Sequence, residues 1–216
     1  MFMTFMMVMG VTVALIDYGF TMHALDSHER ERLLLDAKQY VSQFDTVYRE
    51  MANVPLLLLS ENDFRIAVQE LARLNKNDIE NKKNAAMIKD DLATIGSGLA
   101  MDYLVRNFSR VIFFTETGLF KAGSDVMGRR VDNTVHTEDL HWLKDSPGWG
   151  ESYLVSVHQD DWSKAEQQVV SLVKRLGYTN GLYIEVQKSV EDLDSIFNVD
   201  SSLEKLYLCD RTGRLL

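Results

Sequence analysis

The sequence predicts an α+β protein in which a long helical region precedes a module built on an antiparallel sheet. Three observations lead to this fold class: an uncharged N-terminal run, a charged segment with apolar residues at helical spacing, and short aromatic-rich runs between turn residues in the second half. They divide the 216 residues into an N-terminal transmembrane helix (1–25), a helical stalk and helical segment (26–104), the sheet module (105–200) and the start of a second, truncated module (201–216).

The composition is that of a folded domain and excludes several classes of function. Hydrophobic residues make up 46% and charged residues 25% of the chain, which excludes wholesale disorder. The net charge of −9 repels phosphate backbones, so we expect no nucleic-acid partner. The single cysteine, Cys209, excludes an internal disulfide and a thiolate zinc cluster.

The N-terminal run predicts a membrane anchor. Met1 to Ile16 carry no charge, and after Asp17 the chain stays mostly apolar to Leu25. Twenty-five helical residues span about 37 Å, against about 30 Å for the hydrocarbon core of a membrane. A spanning helix fits if Asp17 lies near a headgroup layer; a signal peptide and a buried soluble helix are the alternatives. We expect a cell-membrane protein, single or double pass, with residues 26–216 extracytoplasmic.

The charged segment that follows predicts helices. The first carries an apolar seam at spacings of three and four, which Pro55 is expected to end or kink: Ala37, Tyr40, Val41, Phe44, Val47, Tyr48, Met51 and Val54. We expect the seam to pack on its own domain, or alternatively on a second copy. A second helix is predicted from a Ser60 cap to about Leu74, and a third over 87–104 after an exposed connection at 75–84.

The second half predicts strands and one short helix. Arg110 to Phe120 reads as two strands around a turn in which Gly118 supplies a positive φ. Tyr153–Val157 and Gly181–Gln187 are predicted strands, and residues 162–176 fit either a helix or a strand. Ser189 is expected to cap a helix over Val190–Phe197.

An internal echo predicts a second module at the C-terminus. Residues 206–216 (LYLCDRTGRLL) repeat the pattern of residues 112–120 (IFFTETGLF), and the two Thr-Gly pairs lie 95 residues apart, at 117–118 and 212–213. Two tandem copies of one α/β module, the second cut off after its first hairpin, account for this echo. Alternatively, the tail completes the first sheet.

The order of these segments resembles the extracytoplasmic double-Cache sensor domains of bacterial membrane receptors such as sensor histidine kinases and diguanylate cyclases. The resemblance lies in RVIFFTETGLF, DLHWLKDSPGW, VHQDDW and VVSLVKRLGYTNGLYIEVQKSVEDLDSIF. It implies a PAS-like Cache module over 105–200 that senses a small molecule, with ligand closure transmitted through the stalk helix of a homodimer. Any catalytic output domain would lie outside these residues. The alternative is a surface-anchored or secreted ligand-binding protein without signalling output.

One subset of that family binds amino acids through an Arg-x-Trp-Tyr motif. Aligning its tryptophan with Trp142 places Leu140 at the arginine position and Leu143 at the tyrosine position. The resemblance therefore implies a ligand pocket without the clamp that holds the carboxylate of an amino acid.

The candidate ligand contacts cluster in the loops beside the predicted sheet. Trp142, Trp149 and Trp162 fall within 21 residues, and aromatic side chains at this density can line a small-ligand pocket or form the loop's own core. Asp160 could accept hydrogen bonds from a cation or sugar, with capping as its alternative role. Lys174 could face an anionic ligand, with a solvated surface as its alternative. We predict five ligand contacts: Phe113, Trp142, Asp160, Trp162 and Lys174.

No metal, cofactor or catalytic residue is predicted. Three histidines and a carboxylate (His136, His141, His158 and Asp139) could hold zinc, but their irregular loop spacing and the lack of a cysteine partner argue against it. The sequence also lacks G-x-S-x-G, G-x-x-x-x-G-K, G-x-G-x-x-G and H-E-x-x-H patterns. We therefore expect this segment not to be an enzyme.

Overall fold

A computed structural model describes residues 2–73, 107–116, 118, 121–125, 131–132, 134–145, 148, 150–163, 166–176 and 181–197. The chain divides into two units, Met1–Thr46 and Val47–Leu216. The predicted connection at 75–84, the predicted third helix at 87–104, Trp149 and the predicted second module at 201–216 lie outside the described residues.

The first unit consists of the N-terminal part of helix α1, which runs from Phe2 to Ser60. Leu33, Leu34 and Leu35 are exposed there. Arg30 pairs with Asp26 at 3.1 Å, one helical turn apart, and both side chains are exposed. Over the residues that the structure describes, no helix has the length and apolar character needed to cross a membrane.

The C-terminal part of α1 belongs to the second unit and packs on its sheet. Val47, Met51 and Val54 are buried in the core of this unit, which confirms own-domain packing for this end of the seam, whereas Val41 in the first unit is 62% exposed. Pro55 was expected to end or kink this helix; it does not end it, because α1 continues to Ser60. A proline removes only one backbone donor, and Leu58 beyond it is buried in the same core.

Helix α2 (Asn62–Arg73) follows almost directly. Its start agrees with the prediction, although Ser60 does not cap it. The Ser60 hydroxyl donates to the carbonyl of Leu57 in the preceding turn instead, at 2.6 Å. Phe64 on α2 is buried and contacts the ring of Phe113, with 5.2 Å between the centroids.

Within the described ranges, five strands form one antiparallel sheet in the order β2-β1-β5-β4-β3. The strands are β1 (Arg110–Thr115), β2 (Lys121–Asp125), β3 (Ser152–Gln159), β4 (Gln168–Arg175) and β5 (Leu182–Ser189). The turn after β1 contains Gly118 with φ 69°, as predicted. The ambiguous 162–176 segment contains strand β4.

One face of the sheet is covered by helices, and we call it the helix face. Alternate residues of the central strands point to this face, because successive side chains in a strand point to opposite sides. They form an apolar core with α1, α2 and Leu193 of helix α3 (Val190–Phe197): Val111, Val170, Leu172, Leu182, Ile184 and Val186. The predicted cap of α3 is confirmed, since the Ser189 hydroxyl accepts the backbone N–H of Asp192 at 3.1 Å.

The opposite face is covered by loops, and we call it the loop face. Its apolar core combines strand residues with side chains from residues 131–145 and 160–163: Ile112, Phe114, Val131, Leu140, Trp142, Val155, Trp162, Val173 and Tyr183. Two short 3₁₀ turns, Thr137–Asp139 and His141–Asp145, belong to this covering layer. The central strand β5 is buried on both faces along its whole length.

Strand β3 contains an irregularity of one residue. Val155 lies opposite Ser171, but the next paired residue, His158, lies opposite Val169. Two residues of β3 therefore face one residue of β4, which is the geometry of a β-bulge. Because of the extra residue, His158 lies on the loop face, and Val157 is 47% exposed.

Candidate ligand-binding site

The loop face carries polar side chains at its centre. Alternation along β5 places Tyr183, Glu185 and Gln187 on this face, while the register puts Ser171 and Arg110 on either side of Gln187. All five residues are at most 4% exposed. Because a buried polar group must be hydrogen-bonded or lose stability, these side chains require partners within the protein.

Glu185 is the acceptor at the centre of this cluster. The Nε1–H of Trp162 donates to its Oε2 at 2.7 Å. The hydroxyl of Ser171 and the Nε2 amide of Gln187 donate to its Oε1 at 2.7 Å and 2.9 Å. The Nε2 of His158 lies 3.9 Å from the same oxygen and 3.2 Å from the Ser171 hydroxyl.

Burial raises the pKa of Glu185 above its ordinary value of 4.5, while the hydrogen bond from Ser171 and the nearby His158 oppose that rise. Desolvation is the larger effect because the charged carboxylate loses its water on all sides. The cluster therefore contains a carboxyl group that holds its proton more tightly than an exposed glutamate does.

A second acidic group anchors the loop that carries Trp162. Asp160 pairs with Arg110 at 3.4 Å, and both side chains are almost completely buried, at 2% and 3% exposure. Its Oδ1 accepts the backbone N–H of Trp162 at 3.0 Å, and Arg110 donates to the carbonyl of Trp162 at 3.0 Å. Both backbone groups of Trp162 are thus fixed by this buried ion pair.

Aromatic rings form a wall beside the polar cluster. The ring of Phe114 stacks on Tyr183 with 5.3 Å between centroids and lies 5.0 Å from Trp162 and 6.0 Å from Trp142. The guanidinium of Arg175 lies 5.7 Å from the centroid of Tyr183. These rings are buried against one another and form the aromatic part of the loop-face core.

Several buried polar atoms of the loop face make no hydrogen bond of normal geometry. Among the described residues these include Nε1 of Trp142, Oδ2 of Asp161, Nε of Arg175 and Oε1 of Gln187. Desolvation raises the pKa of Asp161, and the nearby His158 and His141 and a side-chain interaction with Trp142 oppose the rise. The indole of Trp142 therefore lies near the Asp161 carboxyl group, although the two make no hydrogen bond of normal geometry.

The histidines predicted as possible zinc ligands do not form a metal site. The rings of His141 and His158 lie 6.3 Å apart between centroids. No group of three or more His, Cys, Asp or Glu side chains is arranged to hold a metal ion in the part of the chain that the structure describes.

The structure brings together three of the five predicted ligand contacts: Trp142, Asp160 and Trp162 lie on the loop face. The other two lie elsewhere. Phe113 packs against Phe64 on the helix face. Lys174 pairs with Ile184 in the sheet register and shares that same face, whereas its neighbour Arg175 lies on the loop face, as Arg110 does.

Sequence reasoning missed the centre of the cluster. Glu185 and Gln187 alternate with apolar residues in a strand predicted from that alternation, a pattern that ordinarily indicates a solvent-facing side. Ser171 interrupts the run VVSLV, and a hydroxyl inside a buried strand is the one local signal of a polar interior. The bulge that brings in His158 has no signature in the sequence.

The position expected to hold an arginine in amino-acid-binding relatives is apolar here. Leu140 is 1% exposed and belongs to the loop-face core beside Trp142.

Solved structures of sensory domains have a similar fold. The ligand-binding domain of the Pseudomonas aeruginosa amino-acid chemoreceptor PctC, in complex with GABA, matches with a TM-score of 0.50 and 16% identity, over 85% of this chain and 71% of that one. The Campylobacter jejuni chemoreceptor Tlp3 domain with L-valine gives 0.46 and 12%, over 82% and 72%. The Pseudomonas fluorescens CtaA domain with L-serine gives 0.44 and 16%, over 70% and 67%.

No protein-family profile and no curated protein sequence matches the chain. The structural likeness to the PctC domain, at low sequence identity, confirms the predicted Cache-like fold.

Proposed function

We propose that the chain is the small-molecule sensing module of a bacterial transmembrane receptor, with the ligand bound at the loop face. The observation that carries this proposal is the neighbouring pair of the Trp142 indole and the Asp161 carboxyl group, whose Nε1 and Oδ2 atoms are buried without a hydrogen bond of normal geometry, beside an aromatic wall. A ligand with a polar group would satisfy both atoms while its apolar part contacts the rings.

The ligand differs in its anchoring from the amino acids and GABA held by the structural neighbours. Those neighbours are described as complexes with L-valine, L-serine and GABA. Leu140 cannot pair with a carboxylate, so recognition here rests on Trp142, Asp161 and the rings around Phe114. This supports a ligand bound mainly through its apolar body and one polar group.

Transmission follows the predicted organisation of the chain. Residues 1–25 anchor it in the membrane, 26–104 form the stalk and helical segment of a homodimer, 105–200 form the sensing module, and 201–216 begin a second module. Ligand closure at the loop face shifts α1, whose C-terminal part packs on the helix face of the same sheet. The module itself carries no catalysis.

Ligand binding is tested by thermal unfolding of the full chain with a panel of amino acids, organic acids, amines and sugars. A compound present at about one hundred times its Kd is expected to raise the free energy of unfolding by about 2.7 kcal/mol. Trp142→Phe keeps an aromatic ring but removes the donor, and should weaken binding roughly tenfold.

Tyr48→Phe is the matched control, because it removes a hydroxyl from an aromatic residue packed on the helix face. It should leave the affinity unchanged. A compound that binds equally well to wild type, Trp142→Phe and Asp161→Asn would contradict ligand binding at the loop face.

Membrane topology is tested by fusing a reporter enzyme after residue 216. We expect an export-dependent phosphatase to be active in this position, because the uncharged run at residues 1–16 supports insertion of the N-terminus. The same fusion without residues 1–25 should remain in the cytoplasm, and its phosphatase should therefore be inactive. Strong activity of a cytoplasm-dependent reporter in the full-chain fusion would exclude the proposed topology.

A further inference from the structure

In the cluster at Glu185, the hydroxyl of Ser171 contacts two groups, the Glu185 carboxyl and the His158 ring. Ser171 Oγ lies 2.7 Å from Glu185 Oε1 and 3.2 Å from His158 Nε2. The serine has one hydrogen to donate, and it can satisfy only one of these contacts. The other contact then needs a hydrogen from Glu185 or from His158.

The tautomer of His158 is fixed by its other ring nitrogen. Nδ1 lies 2.8 Å from the backbone carbonyl oxygen of Ser156, and a carbonyl can only accept. Nδ1 therefore carries a hydrogen. In the neutral ring, Nε2 carries no hydrogen and can only accept one from Ser171. When His158 is neutral and Glu185 is ionised, both neighbours of the serine are acceptors, and its single hydrogen can serve only one of them.

One added proton satisfies both contacts in either of two arrangements. With the proton on His158, Nε2–H donates to Ser171, which donates to the Glu185 carboxylate. With the proton on Glu185, Oε1–H donates to Ser171, which donates to the bare Nε2 of His158. No other bond is broken or formed, and the charge of the cluster rises by one unit in both cases.

The remaining acceptor sites of Glu185 do not compete for this proton. Trp162 Nε1 and Gln187 Nε2 are obligate donors, and each already has its hydrogen directed at the carboxyl group. The other charged or titratable side chains near the cluster belong to the loops and neighbouring strands: Arg110, Asp160, Asp161, His141 and Arg175. Arg110 and Asp160 pair with each other.

We propose that Glu185, Ser171 and His158 form a binding site for one proton, so that the module responds to pH as well as to a small molecule. When this proton is lost, the hydroxyl hydrogen of Ser171 is the only one left for its contacts with Glu185 and His158. The fully buried carboxylate keeps the serine hydroxyl, because an ionised oxygen without donors is the costlier alternative. The contact that opens is then the one between Ser171 and His158, which releases the imidazole at the bulge of β3.

The proposal is tested by NMR on the full chain without any ligand, which separates it from the small-molecule function. The indole Nε1–H of Trp162 reports on Glu185, and the ring nitrogens of His158 report on the imidazole. Between about pH 4 and pH 9, we expect the two signals to change with one common midpoint.

Three variants distinguish the proton site from independent titration. Glu185→Gln should remove the titration of the Trp162 signal. Ser171→Ala should separate the two midpoints, while Ser156→Ala, which removes an exposed hydroxyl in the same strand pair, should leave them together. A Trp162 signal that stays constant with pH in the wild type, or midpoints that remain common in Ser171→Ala, would overturn the proposal.

His158→Asn keeps the test decisive if Ser171→Ala does not fold. Removal of the imidazole eliminates one of the two positions of the proton, so the midpoint of the Trp162 signal should shift from its wild-type pH. An unchanged midpoint in this variant would show that the imidazole does not share the proton.

Stability provides an independent measurement of the same site. Burial raises the pKa of Glu185, so the folded chain binds the proton more tightly than the unfolded chain. This stabilisation is fully present below about pH 4.5 and is lost as the pH rises through the folded-state pKa. Glu185→Gln should remove that part of the pH dependence and retain the part due to Asp161, whose pKa is also raised. An unchanged pH dependence would contradict the proposal.

Discussion

Arg110→Met is expected to destabilise the fold by about 3–5 kcal/mol, because it leaves the buried carboxylate of Asp160 without its cation. The two side chains are 3% and 2% exposed, so water cannot replace the guanidinium. The substitution also removes the donor to the carbonyl of Trp162. Urea unfolding at one fixed pH, followed by tryptophan fluorescence, measures the loss.

The chain offers a matched control for this variant. Arg30→Met removes an arginine from an exposed pair with Asp26 and should change the free energy of unfolding by no more than about 0.5 kcal/mol. Adding Asp160→Asn to Arg110→Met should recover part of the loss, since the uncompensated charge is then absent. A loss below about 1 kcal/mol for Arg110→Met alone would mean that the pair behaves as a surface ion pair.

Trp162→Ala is expected to cost about 3–5 kcal/mol, the range typical of large aromatic side chains removed from a core. Its side chain is completely buried, lies 5.0 Å from Phe114 between ring centroids and donates to Glu185. Unfolding in urea measures the effect. A loss under about 1 kcal/mol would contradict a packed loop face.

Trp162→Phe separates the two contributions of this residue. It retains most of the ring contact and removes only the indole donor, so a loss of about 1–3 kcal/mol is expected from the buried acceptor left at Glu185. If Trp162→Phe lowers the free energy of unfolding as much as Trp162→Ala does, the hydrogen bond to Glu185, and not the ring packing, accounts for the stabilisation by Trp162.

The elements governed by local rules could be predicted from the sequence. Ser189 begins helix α3 because its hydroxyl accepts a backbone N–H of the first turn, and Gly118 occupies a turn position with positive φ. Strands β3 and β5 follow from runs of β-branched and aromatic residues. These signals lie within a few residues of the feature they specify, so one sequence suffices to find them.

Features that depend on distant partners could not be predicted. Pro55 does not end α1, because Leu58 beyond it is buried in the helix-face core. The sequence around the proline does not reveal this contact, since the partner residues lie on distant strands. Phe113 and Lys174 are predicted ligand contacts, but the register of the strands places both on the helix face, away from the site. The partners of Glu185 come from three segments of the chain, and only the folded arrangement joins them.

The bulge in β3 makes the chemistry of the loop face sensitive to how one strand pairs with its neighbour. If β3 kept its present length and paired with β4 without a bulge, strict alternation would place Val157 opposite Val169 on the loop face and turn His158 to the other side. Deletion of Ser156 or Val157 would instead remove the extra residue and leave His158 opposite Val169. The bulge, rather than the residue types of the strand, therefore decides whether an ionisable or an aliphatic side chain occupies this place.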